Sequence, residues 1–285
     1  MKRFGSFILF TSLILLLILS ALDLFYTYCL TRGPLYKIPS GRHYRYLVIG
    51  DSRTSSILED KLDTLTGSST INITNYGANL DDVPELLDHF YFKGNSAETV
   101  LLSVDLRTGT KYGVAKDWMY YPHKLRRHDF LEPRIPFIYY AERNNKLPWR
   151  KVTQGLFSEV DSVREDDRDL SIAQTYKVYD DIPDYSRESF RIGIIDSIRT
   201  MLRQHGATDL RLFIAPLSDH FNRSQRDSTS YKKLIRDRGY VLYDHSTLFR
   251  DTSYFADDLH IRRKYYDTFT VVFARDLLTK KEGSN

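Results

Sequence analysis

Two short segments at opposite ends of the chain hold residue types that could do nucleophilic chemistry. Near the start, the run Tyr46-Leu47-Val48-Ile49 leads into Gly50-Asp51-Ser52-Arg53. Near the end, Asp257-Asp258-Leu259-His260 places a carboxylate three residues before an imidazole. A serine hydroxyl is a weak nucleophile until a base takes its proton. The imidazole base in turn needs a carboxylate to fix its tautomer and stabilise its charged form. Ser52, His260 and Asp257 fit these three roles, with the last two on one loop and His260 reaching across to Ser52. Asp258 is adjacent and could compete with Asp257, but is expected to be a solvated or helix-capping charge. A Gly-Asp-Ser tripeptide alone is most often a turn with an N-cap. The distant Asp-x-x-His is what gives it weight.

Such residues act only if the fold brings them to one place. The hydrophobic patterning predicts strands over 46–49, 72–76, 99–104, 210–215 and 240–243, and helices over 54–65, 83–92, 188–204, 230–237 and 262–278. Strands alternating with helices imply an α/β fold with a parallel sheet covered on both faces. Loops at the carboxyl ends of such strands form the ligand crevice. Ser52, just past the first strand and at the start of a helix, would project into it. There it would meet free N–H groups and the positive end of a helix dipole. Gly50 would permit a tight turn or close approach of substrate.

After the third strand comes an insertion, at about 107–187, too long for an ordinary loop. Its first part (107–150) holds ten Lys/Arg against four Asp/Glu, with nine aromatics including Trp118 and Trp149. The following stretch (151–190) reverses the balance, with five basic and ten acidic residues. It reads as a lid, a substrate platform or a partner surface, with Trp118, Tyr120 and Tyr121 as candidates to stack on sugar faces. The plainer reading is a solvated excursion whose aromatics pack against the body.

The N-terminus carries a targeting signal. After Met1-Lys2-Arg3, the 19 residues 4–22 hold no charge, and Asp23 ends the run. That length spans a bilayer with little tilt. No Ala-x-Ala site follows, so an uncleaved anchor (1–30) is favoured over a cleaved signal peptide. Residues 31–45, rich in Gly, Pro and basic side chains, read as a stalk before a domain at 46–285. Arg32, Lys37, Arg42 and Arg45 follow the span, so charge counting alone favours a cytoplasmic body. The short basic start and the chemistry favour a periplasmic or extracellular one.

Composition narrows the rest. The single cysteine, Cys29, excludes an internal disulfide framework and a Cys-based zinc site. Asp257, Asp258 and His260 lack further ligands at a recognisable spacing, so no metal is expected, and no other cofactor either. There is no glycine-rich phosphate loop, and the net charge of +4 is too diffuse to claim nucleic acid. His220, the Asp244-His245-Ser246 loop and the basic run from His123 to His128 are read as a helix start, a polar loop and a solvated surface.

"GDSR" after the first strand, Gly77 in "NYGAN" after the second, and "DDLH" before the last helix resemble the SGNH/GDSL hydrolase superfamily. The anchor, the insertion and the "FADDLH" ending are similar to membrane-anchored bacterial members of the envelope or exopolysaccharide acylation type. The resemblance covers 45–79 and 210–278. It implies a flavodoxin-like three-layer sandwich, with Ser52 as nucleophile, His260 as base and Asp257 as its orienting partner. The N–H groups of Ser52 and Gly77 would line the oxyanion hole. It also implies an acylated glycan or small ester as substrate and envelope-biosynthesis proteins as partners. The superfamily's Asn donor after the third strand is absent: "LLSVDLRTG" offers Ser103, Asp105 and Arg107. The hole would then lean on Asn79 or Arg107. Loss of one such donor typically costs about a hundred- to a thousandfold in rate. Two functions stay open at this point: a serine esterase or O-acyltransferase, and a catalytically inactive binding or assembly module of the cell envelope.

Overall fold

The computed structural model describes residues 2–31, 38–75, 78–110, 190–207, 209–224 and 228–279. It divides into two compact units, Met1–Ile38 with Asp117–Arg164, and Pro39–Lys116 with Glu165–Asn285. In the first, α1 (Lys2–Thr31) is one continuous helix, and most of its described large apolar side chains, Phe4 and Leu9 among them, are exposed. Among the described residues no helix is long and apolar enough to cross a membrane.

The second unit is an α/β domain. Its strands are β1 (His43–Gly50), β2 (Thr70–Thr74), β3 (Ser96–Ser103), β4 (Asp209–Ile214) and β5 (Val241–Asp244). They form one parallel sheet in the order β2-β1-β3-β4-β5. Leu47, Val48 and Ile49 of β1 and Val100, Leu101 and Leu102 of β3 are fully buried. Unbroken apolar runs of this kind mark strands covered on both faces. The helices are α2 (Glu59–Thr66), α3 (Val83–Phe92), α4 (Leu106–Thr110), α5 (Ile192–Gln204), α6 (Asp219–Ser224), α7 (Ser228–Asp237) and α8 (Tyr266–Thr279). α2 packs with α8 and α3 with α5. Right-handed crossovers demand this split, because the chain moves one way from β1 to β2 and the other way from β2 to β3. The order reverses between β1 and β3, the switch point where open α/β sheets bind ligands.

Two local departures from the sequence reading matter for the site. The helix expected over 54–65 is broken: a 3-10 turn, Ser52–Ser56, is followed by extended Ile57 and Leu58 before α2 begins. Tertiary contacts override the helical pattern here. Ile57 is buried in the core, its carbonyl accepts from Asn72 Nδ2, and Leu58 N–H donates to Thr270 Oγ1 on α8. The helix expected from residue 262 likewise opens as a 3-10 turn, Arg263–Tyr265, with α8 starting at Tyr266. The insertion, with Trp118, Tyr120 and Tyr121, lies almost wholly outside the described residues, as does Gly77.

Candidate active site

Ser52 stands at the carboxyl end of β1 because the strand cannot continue. Gly50 lies so close to β3 that a Cβ added there would sit 2.6 Å from Ser103 Cβ and 2.9 Å from Thr54 Cγ2. Only glycine fits, so its role is close packing of the strand end rather than room for substrate. Asp51 then caps the 3-10 turn, its Oδ1 accepting from Arg53 N–H at 3.1 Å. Ser52 N–H, the first of the turn, meets no backbone acceptor among the described residues.

His260 comes from a tight hairpin closed by the antiparallel bridge Phe255–Ile261 and by Ala256 N–H to His260 O at 2.8 Å. Inside the hairpin, Asp257 Oδ1 accepts from Leu259 N–H at 2.8 Å and His260 N–H at 2.9 Å. The carboxylate is thus aimed by the backbone that carries its partner. Both of its oxygens lie 2.9 Å from His260 Nδ1, and His260 Nε2 lies 2.6 Å from Ser52 Oγ. Burial alone would raise the Asp257 pKa, but the hydrogen bond and charge of His260 and the two N–H groups hold it below the ordinary value. Nucleophile, base and orienting carboxylate, separated by 208 residues of chain between Ser52 and His260, form one continuous relay. Ser52 and His260 border a narrow cleft that Ala215, Pro216, Ile261 and Tyr266 also line.

The charge expected from a helix dipole has a different source. The turn that begins at Ser52 is five residues long and α2 starts only at Glu59, too short and too far for a sizeable macrodipole. What lies beneath Ser52 is a buried ionic cluster. Arg53 Nε donates to both oxygens of Asp51 at 3.1 and 3.0 Å, and its Nη1 donates to Asp105 Oδ2 at 2.5 Å. Arg107 Nη2 donates to Asp51 Oδ2 at 3.0 Å. Sequence reasoning missed Arg53 altogether. The signal available was a base flanked by acids at the ends of two strands, Asp51-Ser52-Arg53 and Asp105.

Asp105, where an Asn donor was sought, is therefore part of the support rather than of the cleft. Its other oxygen takes the Thr108 N–H at 2.7 Å. Burial would raise its pKa, but the charges of Arg53 and Arg107, with the hydrogen bonds from Arg53 and Thr108, bring it to about 2. A carboxylate depressed in the folded state stabilises above its unfolded pKa, ordinarily 3.8, and the gain is lost as pH falls through the folded value. Thermal unfolding of Asp105→Asn should accordingly show lower stability at neutral pH than wild type. Its melting temperature should fall less steeply between about pH 4 and pH 2.

The other candidates take structural places. Asp258 is buried rather than solvated: Ser218 Oγ donates to it at 2.7 Å and His220 Nδ1 lies 3.2 Å away. It ties the hairpin to the segment after β4, where the Ser218 N–H also donates to the Asp258 carbonyl at 3.1 Å. Asp244 accepts from the N–H and hydroxyl of Ser246 and pairs with Lys232 at 2.9 Å, which makes that loop a closed turn. Asn79 shapes the turn before α3, its Oδ1 accepting from Asp81 N–H. His123 and His128 fall outside the described residues. No protein-family model matches the chain, and no curated protein is significantly similar to it in sequence.

Proposed function

We propose that this chain is a serine esterase or O-acyltransferase of the SGNH type, working through an acyl-Ser52 intermediate. The observation that carries the reading is the relay from Asp257 through His260 to Ser52, with hydrogen-bond distances of 2.9 and 2.6 Å. His260 Nε2 takes the hydroxyl proton as Ser52 Oγ attacks the ester carbonyl, and Asp257 stabilises the imidazolium without itself being protonated. The tetrahedral oxyanion faces the Ser52 N–H. His260 then protonates the departing alkoxide. Water or an acceptor hydroxyl attacks the acyl-serine, giving its proton back to His260, and Ser52 is restored. Hydrolysis and transfer differ only in that acceptor.

The strand order β2-β1-β3-β4-β5 supports a flavodoxin-like, SGNH-type arrangement, since the nucleophile stands at the switch point. The uncharged run 4–22 within the single helix α1 supports a one-pass anchor. We place the domain in the periplasm or outside the cell, with an acylated glycan or similar ester as substrate. The direct test is a fluorophosphonate probe applied to the full chain in detergent. Covalent labelling that maps to Ser52 is the expected result; a chain that stays unlabelled while folded is an inactive member of the fold, a binding or assembly module. Asp105 in place of an Asn donor is the observation that favours this second reading.

A further inference from the structure

We infer that Arg53, the residue after the nucleophile, is a positioning residue that sets the orientation of Ser52 and of its backbone N–H. The inference rests on the acyl-serine reading above. Ser52 is the middle residue of a closed three-residue unit. On one side Asp51 is held by its own place at the end of β1, buried at 2% exposure. On the other, Arg53 returns to Asp51 through hydrogen bonds from its N–H at 3.1 Å and its Nε at 3.1 and 3.0 Å, and its Nη2 stands in ion-pair contact with Oδ2 at 2.8 Å. The backbone of Ser52 is therefore clamped from both flanks by a single carboxylate.

That unit would still be free to tilt as a body against the sheet. Arg53 prevents this, because its Nη1 continues to Asp105 Oδ2 at 2.5 Å, at the end of the neighbouring strand β3. Asp105 is fixed in turn by Thr108, whose N–H meets its Oδ1 at 2.7 Å and whose hydroxyl accepts the Asp105 N–H at 2.9 Å. The guanidinium side chain is 1% exposed and both carboxylates 0%. A planar fork with fixed donor directions suits this double bridge; an ammonium on a flexible stem does not reproduce it. The buried carboxylates hold the Arg53 pKa above its ordinary value against the opposing effect of burial, so the bridge stays charged at any working pH.

The arrangement also accounts for how this chain can dispense with a helix dipole behind the nucleophile. Arg53 N–H is consumed by Asp51, which leaves Ser52 N–H as the donor of the turn that can meet an oxyanion. A reacting group misplaced by a fraction of an ångström loses most of its advantage. A loosened Ser52 should therefore react slowly while the substrate, bound elsewhere in the cleft, binds as before.

Because removal of a partner from a buried ion pair threatens folding, the test uses two variants of the full chain. Arg53→Met combined with Asp105→Asn removes the bridge together with one charge of each sign and leaves the Asp51–Arg107 pair in place. Arg53→Lys keeps the charge and removes the fork. Rates of fluorophosphonate labelling, kcat and KM for a small chromogenic ester, and melting temperatures are measured for both. The expected result is a fall of ten- to a hundredfold in labelling rate and kcat for both, with KM within about twofold of wild type. The double variant should keep a melting temperature near wild type. Wild-type labelling rates in either folded variant would overturn the positioning role while leaving Ser52 as nucleophile. A loss of labelling proportional to the loss of folded protein would reduce Arg53 to a stability role. An unlabelled wild-type chain would remove the acyl-serine reading itself, and the inference with it.

Discussion

Replacing His260 by Ala should abolish measurable ester turnover, with a loss on the order of a millionfold if the uncatalysed alternative is an unassisted serine hydroxyl. Ser52→Ala should cost about as much, and the double variant little more, because nucleophile and base act as one unit and their removal is not additive. The structural reason is the single 2.6 Å contact between Ser52 Oγ and His260 Nε2. No second base stands at that oxygen among the described residues: His220 is turned to Asp258 and His245 to Asp276. Steady-state kinetics on a chromogenic ester would read the effect, and melting curves should move little, since His260 is half-buried and its backbone bonds to Ala256 N–H and Asp257 Oδ1 survive the loss of the ring. Equal turnover in His260→Ala and wild type would remove the relay from the mechanism.

Much of this site was legible in the sequence, and the part that was not has a definite physical origin. The apolar run before Gly50 and the three-residue spacing of Asp257 and His260 are local features, and a local spacing largely determines a local geometry. The contact between His260 and Ser52 follows from a rule of parallel sheets rather than from any spacing. Arg53 and Asp105 are different. They lie 52 residues apart, and meet only because β1 pairs with β3 in the register Ile49–Leu102, which sets both strand ends level. Periodicity carries no information about register between strands. Asp258 was misread for a related reason. Its partners Ser218 and His220 come from beyond β4, 40 and 38 residues away, so nothing near it in the chain marks it as buried. The break at Ile57 and Leu58 is a third case. The local pattern there is helical, and a hydrogen bond from Asn72 on β2 and another to Thr270 on α8 outweigh it.

Asp257→Asn should lower kcat by about ten-thousandfold with little change in fold, and the reason lies in which carboxylate oxygen the backbone has already claimed. Asp257 Oδ1 accepts from the N–H groups of Leu259 and His260 at 2.8 and 2.9 Å. An amide placed there must turn its own oxygen toward those two donors, because the reverse orientation would set its NH2 group against them. The NH2 group then takes the place of Oδ2, 2.9 Å from His260 Nδ1, while the amide oxygen at the Oδ1 position, also 2.9 Å away, has both lone pairs engaged by the two backbone N–H groups. An imidazole facing a donor must offer a lone pair at Nδ1 and carry its proton on Nε2. In that tautomer Nε2 donates to Ser52 Oγ and has no lone pair with which to take the hydroxyl proton. The geometry survives and the chemistry stops, which in serine hydrolases of this logic is worth about four orders of magnitude. Asp257→Ala should be the milder of the two, since it leaves His260 without an orienting partner but free to adopt either tautomer. A kcat for Asp257→Asn at or above that for Asp257→Ala would mean that the carboxylate only anchors the hairpin. An order in which Asn has the lower kcat, although Ala forfeits the acceptor of the Leu259 and His260 N–H groups and is the less stable of the two, is one that a purely structural role for Asp257 cannot produce.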